Sequence, residues 1–245
     1  MADQIKWFYG NDPARDGDYH TIVINGLKPK PINGIPWLPF MRDIYRYRGK
    51  DYLDVLDFLF KKLFVKMPPT RYAVDATRDP TWAELIKRKL GEVKTIEYTF
   101  TINSKLHLMT TMKNYLVAGY TLPDVDFMVR EGKITADKAQ MIRELKQEAL
   151  REQMNPIGDK ISFSDGGKHN DLLHGEALSL EAVFQYQLGM QGFGTHSSLS
   201  GFEGAASPLY DEELTPEEKT NNLVRGVMSK RGRGLFDKID VSYAK

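Results

Sequence analysis

The chain has 245 residues and a formal net charge of +1, which is room for one large domain, or for a domain and a tail. It contains no cysteine; that excludes disulfides, Cys-ligated zinc and thiol nucleophiles together, and fits a reducing compartment. Apolar residues make up 41%, enough for a core, yet there is no run of about 18 apolar residues to span a membrane.

A near-zero net charge neither favours nor excludes nucleic acid, which needs only a local basic face. Met1 to Asn11 lacks the positive start and apolar stretch of a signal peptide. Ile5 to Tyr9 reads as a strand, ended by a turn at Gly10-Asn11-Asp12-Pro13. Tyr19 to Asn25 is β-branched and alternating, a second strand. Phe40 to Arg48 alternates apolar and charged residues, a third strand with one wet face. The Lys-Pro-Lys-Pro-Ile-Asn-Gly insert between them reads as a long hairpin loop. Asp51 to Lys66 carries Leu53, Leu56, Phe60 and Phe64 at helical spacing, with Asp51 as N-cap and Pro68-Pro69 as the stop.

Arg71 to Asp75 is then a short buried strand, and Pro80 to Leu90 a helix with Pro in its first turn. Val93 to Thr101 reads as a strand and Ser104 to Ala118 as a helix ended by Gly119. Thr135 to Gln153 is a charged helix, Ile161 to Phe163 a last short strand, and Asn170 to Leu188 an amphipathic helix showing Leu173, Ala177, Leu180 and Phe184 on one face. Three adjacent strands followed by alternating helices and strands predict an α/β fold. Its mixed sheet has an antiparallel meander on one side and βαβ units on the other. From about Gly189 the composition turns Gly/Ser-rich, followed by an acidic run and a basic last third. Residues 1–190 are therefore expected to be the domain, and 191–245 a flexible or partner-binding tail.

Three carboxylates sit at telling places: Asp12 after the first strand, Asp75 at the end of the fourth, and Asp171 at the start of the last helix. If the first and fourth strands are neighbours, Asp12 and Asp75 share a sheet edge and Asp171 joins them. Clustered carboxylates repel unless a cation compensates. Oxygen ligands without Cys select Mg²⁺ or Mn²⁺ over zinc. Two such ions, about 3.5–4 Å apart, activate a water and stabilise the leaving oxygen of a phosphodiester. Each residue alone has an ordinary reading as turn former, strand end or N-cap; only the joint placement argues for chemistry.

Ordered motifs add to this. The segment from Gly10 to Ile24, Tyr72-Ala73-Val74-Asp75-Ala76-Thr77, Phe100 to Lys105 with the helix and Gly119 to Pro123 after it, Arg143-Glu144-Leu145, and Gly167 to Leu178 stand in the right order over residues 5–188. Together they resemble the nuclease domain of viral, phage-type DNA-packaging terminase large subunits, of the ribonuclease H-like superfamily. The resemblance implies a ribonuclease H-like mixed sheet of five or more strands with helices on both faces. It also implies a two-metal endonuclease that cuts concatemeric viral double-stranded DNA in the host cytoplasm. It carries Asp12, Asp75 and Asp171 over as catalytic metal ligands and Asp18 as an auxiliary one. It makes Lys105 a phosphate-contacting or positioning residue. Lys113, Lys168 and His169 complete the expected DNA contacts. The expected partners are the ATPase domain of the packaging motor, a portal and a small terminase subunit.

The chain departs from the family in two ways. The paired Asp-Asp of the last motif is Asn170-Asp171; Asn170 can offer an oxygen but no charge, so Asn170→Asp would be expected to strengthen Mg²⁺ binding. No G-x-x-x-x-G-K-[ST] occurs, so the ATPase half is not in this sequence, as for an excised domain or one piece of a split machine. A junction-resolving nuclease and a non-catalytic docking module for the portal or motor are the alternatives, the second kept alive by Asn170. Lys87, Arg88, Lys89, Lys94, Lys105 and Lys113 are expected either to make one basic face or to be solvated surface. His169 and His174, five apart, make a poor chelating pair.

Overall fold

A computed structural model describes residues 4–13, 19–28, 37–77, 79–157, 160–164 and 170–191, with side chains described except at 153–164 and 191. Residues 192–245 of the expected tail, residues 29–34 of the hairpin insert, Asp18, Lys168 and His169 lie outside the described residues.

Strands β1 (Lys6–Asp12), β2 (Tyr19–Leu27), β3 (Phe40–Arg48), β4 (Pro69–Asp75) and β5 (Thr95–Tyr98) form one sheet in the order β3-β2-β1-β4-β5. β2 is antiparallel to both β1 and β3, while β1, β4 and β5 run parallel. The mixed sheet of meander plus βαβ units predicted from the element order is what the chain folds into. Successive residues of a strand face opposite sides, and two cores follow. Phe8, Val23, Ile44 and Ala73 pack under α4 (Ile102–Val117), α6 (Ala136–Arg151) and α7 (Asp171–Gln191). Tyr9, Ile22, Ile24, Tyr72 and Val74 pack under α1 (Tyr52–Phe58) and α3 (Pro80–Leu90). Helices thus cover both faces of the sheet.

α7 lies directly on β1. A Cβ at Gly10 would meet the Gly175 carbonyl oxygen at 1.9 Å and the Ser179 nitrogen at 2.3 Å, and Gly175 itself sits against Val23 and Thr21. Glycine at both places lets the helix backbone approach the strand. The Ser179 hydroxyl then donates to the Phe8 carbonyl at 3.1 Å. The sequence pattern predicts an amphipathic α7. Instead Leu172, Leu173, Ala177, Leu178, Leu180, Ala182 and Val183 are all fully buried, because the helix is enclosed by the sheet, α4 and α6.

Several boundaries differ from the sequence reading. β1 does not turn at Gly10 but runs to Asp12, because residues 10–12 pair with Val23, Ile22 and Thr21 of β2. Asp51 caps α1 as expected, accepting from the Leu53 N–H at 2.8 Å. A π turn at Leu59–Leu63 then precedes α2 (Phe64–Lys66) and moves the core face to Val55, Leu56, Leu59 and Leu63, leaving Leu53 70% exposed. The strand expected at 93–101 is a 3-10 turn, Glu92–Lys94, followed by the four residues of β5. Residues 119–123, where the resemblance implies a strand after the helix, form none; a short helix follows, α5 (Val125–Arg130), capped by Asp124. α6 stops at Arg151, and β6 (Gln153–Ile157) pairs antiparallel with β7 (Lys160–Ser164) in a separate two-stranded sheet. No helix among the described residues is long and apolar enough to cross a membrane.

Candidate functional site

Asp12 and Asp75 end β1 and β4, adjacent parallel strands whose register sets Asn11 opposite Val74. One residue further, both carboxylates leave the sheet on the α7 side, since Asn11 and Val74 face the other way. Asp75 is 5% exposed and accepts hydrogen bonds from both the Thr77 N–H, at 2.8 Å, and the Thr77 hydroxyl. Burial raises its pKa. The two Thr77 hydrogen bonds pull it back, the Asp12 charge pushes it up again, and His174 lowers it. The two acids are therefore near enough to feel one another.

The N-terminus of α7 closes over this pair. Thr21, opposite Asp12 in the β1–β2 register, donates through its hydroxyl to the Asp171 carbonyl at 2.8 Å. His174 Nδ1 lies 3.4 Å from Asp12 Oδ2, and its ring packs on Phe100 with centroids 4.9 Å apart. The first turn of α7 takes a cap from α6. Buried Glu148 accepts from the Leu173 N–H at 2.8 Å, as an acid favours a helix N-terminus. Burial pushes the Glu148 carboxyl up to about 7; the Leu173 hydrogen bond opposes this, the Asp171 charge adds to it, and Arg46 and His174 oppose it. One turn on, Glu152 accepts from the Asn170 amide and lies 2.8 Å from Lys105 Nζ.

The expected residues thus divide. Asp12 and Asp75 come together; Asp171 sits at the same helix mouth, where its charge is felt by Glu148; Asn170 and Lys105 meet at Glu152. Among the described residues no three His, Asp or Glu side chains converge as a ready-made chelate. The donor chemistry nevertheless fits a hard divalent cation that keeps waters and substrate oxygens in its shell: two carboxylates at one strand edge, the buried Asn170 Oδ1 without a hydrogen-bond partner among the described residues, and no thiol. His174 Nε2 is likewise buried and without a hydrogen-bond partner among the described residues.

Three of the six cations expected either on one basic face or as solvated surface have acidic neighbours. Lys87 pairs with Glu92 and Glu97 at 3.4 and 3.0 Å, Arg88 with Glu84 at 3.0 Å, and Lys105 turns inward to Glu152. Nearby acids neutralise these three cations. Lys113 is half-buried two turns along α4 from Lys105. A half-open groove of about 580 Å³, lined by Trp7, Phe40, Tyr45, Phe58, Lys62 and Lys66 among others, lies at the other end of β1 from Asp12 and touches neither Asp12, Asp75 nor Asp171.

The sequence pattern did not single out Glu148, Glu152 or His174 as site residues. A signal is present: Leu145, Glu148, Ala149 and Glu152 repeat at i, i+3, i+4 and i+7, which puts two acids on the apolar stripe of a helix. Buried acids on such a stripe need partners, and partners point to a site.

No family model matches the chain, and no curated protein does. Among solved structures it is similar to the large terminase nuclease from thermophilic phage G20c, with a TM-score of 0.45 and 13% identity over 73% of this chain and 82% of that one.

Proposed function

We propose that the chain is a metal-dependent endonuclease that cleaves double-stranded DNA, the concatemeric genome of a virus during packaging in the host cytoplasm. The single observation that carries this reading is the pair Asp12 and Asp75 on adjacent parallel strand ends, beneath the N-terminus of α7. A like-charged pair with one member buried and the other half-buried is unfavourable without a cation. Asp12, Asp75 and Asp171 would hold Mg²⁺ or Mn²⁺, two ions in all, with Asp18 and Asn170 as auxiliary oxygens. Bound there, such ions would supply activation of a water and stabilisation of the leaving oxygen of a phosphodiester.

The chain's own residues supply the rest. Thr77 fixes the rotamer of Asp75 through two hydrogen bonds. Thr21 and Glu148 anchor the first turn of α7, so that Asp171 and His174 are delivered to a rigid place. His174, 3.4 Å from Asp12, orients that carboxylate. Lys113, Lys168 and His169 would meet the phosphate backbone, and Lys105 positions the site from behind. The ATPase domain of a packaging motor, a portal and a small terminase subunit are the partners this role calls for.

Supercoiled plasmid incubated with Mn²⁺ or Mg²⁺ tests the proposal. Nicked and linear products with either metal, and none with EDTA, are expected. Intact plasmid in every divalent metal, or cleavage that EDTA leaves untouched, would overturn it.

A further inference from the structure

Asn170 stands where the related motif carries an acid, and its amide is not idle. The side chain is buried, and its Nδ2 donates to Glu152 Oε2. Glu152 is 1% exposed, and its other oxygen lies 2.8 Å from Lys105 Nζ. A carboxylate can only accept, so the Asn170 atom facing Glu152 has to be the nitrogen. The carbonyl oxygen is thereby turned away from Glu152. That Oδ1 is buried and has no hydrogen-bond partner among the described residues. Asn170 directly precedes Asp171, whose carbonyl is held by Thr21 opposite Asp12. The unsatisfied oxygen therefore belongs to the same helix mouth as the acidic pair.

We propose that Glu152 is a positioning residue: together with Lys105 it turns the Asn170 carbonyl oxygen out as a neutral ligand for a divalent cation beside Asp12 and Asp75. The inference rests on the metal-dependent reading of the site. It accounts for the amide at this position. Lys105 and Glu152 cancel in charge, so the clamp is neutral with Asn170 in it. An acid at 170 would place a second carboxylate against Glu152, with one lysine to serve both. This reverses the expectation from sequence that Asn170→Asp improves the site. It also gives inward-facing Lys105 a role other than phosphate contact.

The experiment uses the full chain and four variants: Asn170→Asp, Glu152→Ala, Glu152→Gln, and Asn170→Asp combined with Glu152→Gln. Two properties are measured, the melting temperature in EDTA and the affinity for Mn²⁺ alone, the latter from the EPR signal of the free ion. Asn170→Asp alone should lower the melting temperature by about 5 °C. The double variant, which exchanges amide and carboxylate across the contact, should recover most of that loss. Glu152→Ala should weaken Mn²⁺ binding by roughly 10- to 100-fold, as removal of groups that orient a ligand does. Glu152→Gln keeps an acceptor for the Asn170 amide and should retain most of the affinity.

Additive losses in the double variant would overturn the clamp. So would Mn²⁺ affinity unchanged in Glu152→Ala while Asp75→Asn abolishes it; that result leaves the acidic site standing and makes Glu152 merely structural. If the wild type binds no Mn²⁺ and Asp75→Asn changes nothing, the inference falls together with the reading of the site.

Discussion

Asn11 and Asp12 are neighbours on one strand, yet the two faces of the sheet treat them differently. On the α1/α3 face Asn11 is fully buried and fully satisfied. Its Nδ2 reaches the Thr21 carbonyl at 2.7 Å and His20 Nε2 at 2.9 Å, and its Oδ1 accepts from the Tyr72 hydroxyl at 2.8 Å and the Trp82 indole at 2.5 Å. Everything in that network is neutral: burial lowers the His20 pKa to about 3, against a smaller opposing pull from Asp79. On the α7 face the buried polar groups include Asp75, Glu148, Glu152, Glu176 and Glu181, and the Asn170 oxygen has no hydrogen-bond partner among the described residues. Among the described residues one buried atom of the neutral network, His20 Nδ1, has no hydrogen-bond partner, but that network carries no charge, and neutral groups in contact specify packing. A concentration of acids beside an unsatisfied acceptor is unfavourable until a ligand relieves it. The contrast separates the structural half of this sheet from the half proposed to do chemistry.

The sharpest way to break that contrast is Asp75→Asn. Plasmid cleavage should fall by about a hundredfold or more, since even groups one step removed from a metal cost 10- to 100-fold. The melting temperature should stay level or rise, because a buried charge and its repulsion with Asp12 are removed. Cleavage at the wild-type rate would move the chemistry elsewhere. Gly10→Ala attacks the seat of α7 instead. Its Cβ would overlap the Gly175 carbonyl and the Ser179 backbone, neither of which can rotate away. A loss of about 3 kcal/mol in urea unfolding is expected, at the upper end of what overpacking costs. A loss below about 1 kcal/mol would mean the helix shifts freely on the strand.

How much of this is legible in the sequence depends on the range of the interactions. Alternation in Phe40 to Arg48 and the Pro and Gly at the two ends of α3 are local signals, and both elements have the bounds that these signals predict. The adjacency of Asp12 and Asp75 needs only the strand order. The extension of β1 through Asp12 is hidden, because Gly10-Asn11-Asp12-Pro13 is good turn chemistry that strand pairing overrides. Glu148 and Glu152 acquire meaning only when α6 meets the start of α7. Glu148 and Leu173 touch across 25 positions of chain, a contact invisible to any periodicity. Likewise, the inward turn of Lys105 follows from where Glu152 sits, not from the charge pattern of α4.

A third test asks whether the acidic face is strained in the protein alone. Glu176 is fully buried on α7. It accepts hydrogen bonds from the Tyr120 hydroxyl and the Asn25 amide, neither of them cationic. Burial raises its pKa to about 7, against the pull of those two hydrogen bonds. Between the ordinary carboxylate range and 7 the folded chain holds a proton that the unfolded chain has lost. Stability is therefore full below that window and falls as pH rises through it, by about 3 kcal/mol for this group. Glu148, also raised to about 7, contributes a second fall of the same sign. In Glu176→Gln the unfolding free energy should fall less than in the wild type between about pH 5 and 7, by about 3 kcal/mol over the window, with the variant the more stable at about pH 8; buried His20, with its lowered pKa, adds a rise of opposite sign to both proteins and leaves the difference unchanged. An unchanged slope would show that Glu176 remains ionised throughout.

The smallest effect is expected on the neutral face, from Trp82→Phe. The indole N–H is one of two donors to Asn11 Oδ1, and the Tyr72 hydroxyl remains as the other. Because that oxygen keeps a partner, the full penalty for an orphaned acceptor does not apply; the loss is one net hydrogen bond of about 1 kcal/mol together with a small void beside His20 and Tyr52, whose rings pack on Trp82 with centroids at 4.5 and 5.0 Å. Unfolding in urea should therefore show a loss of about 1–2 kcal/mol. The rate of plasmid cleavage per folded molecule should stay within about twofold, because Asn11 is still held by Thr21 and Tyr72 and its side chain lies across the strand from Asp12. A variant that folds as well as the wild type but cleaves about tenfold more slowly would show that the two faces are coupled through β1. In that case the neutral network would be setting the position of Asp12 as well as the packing.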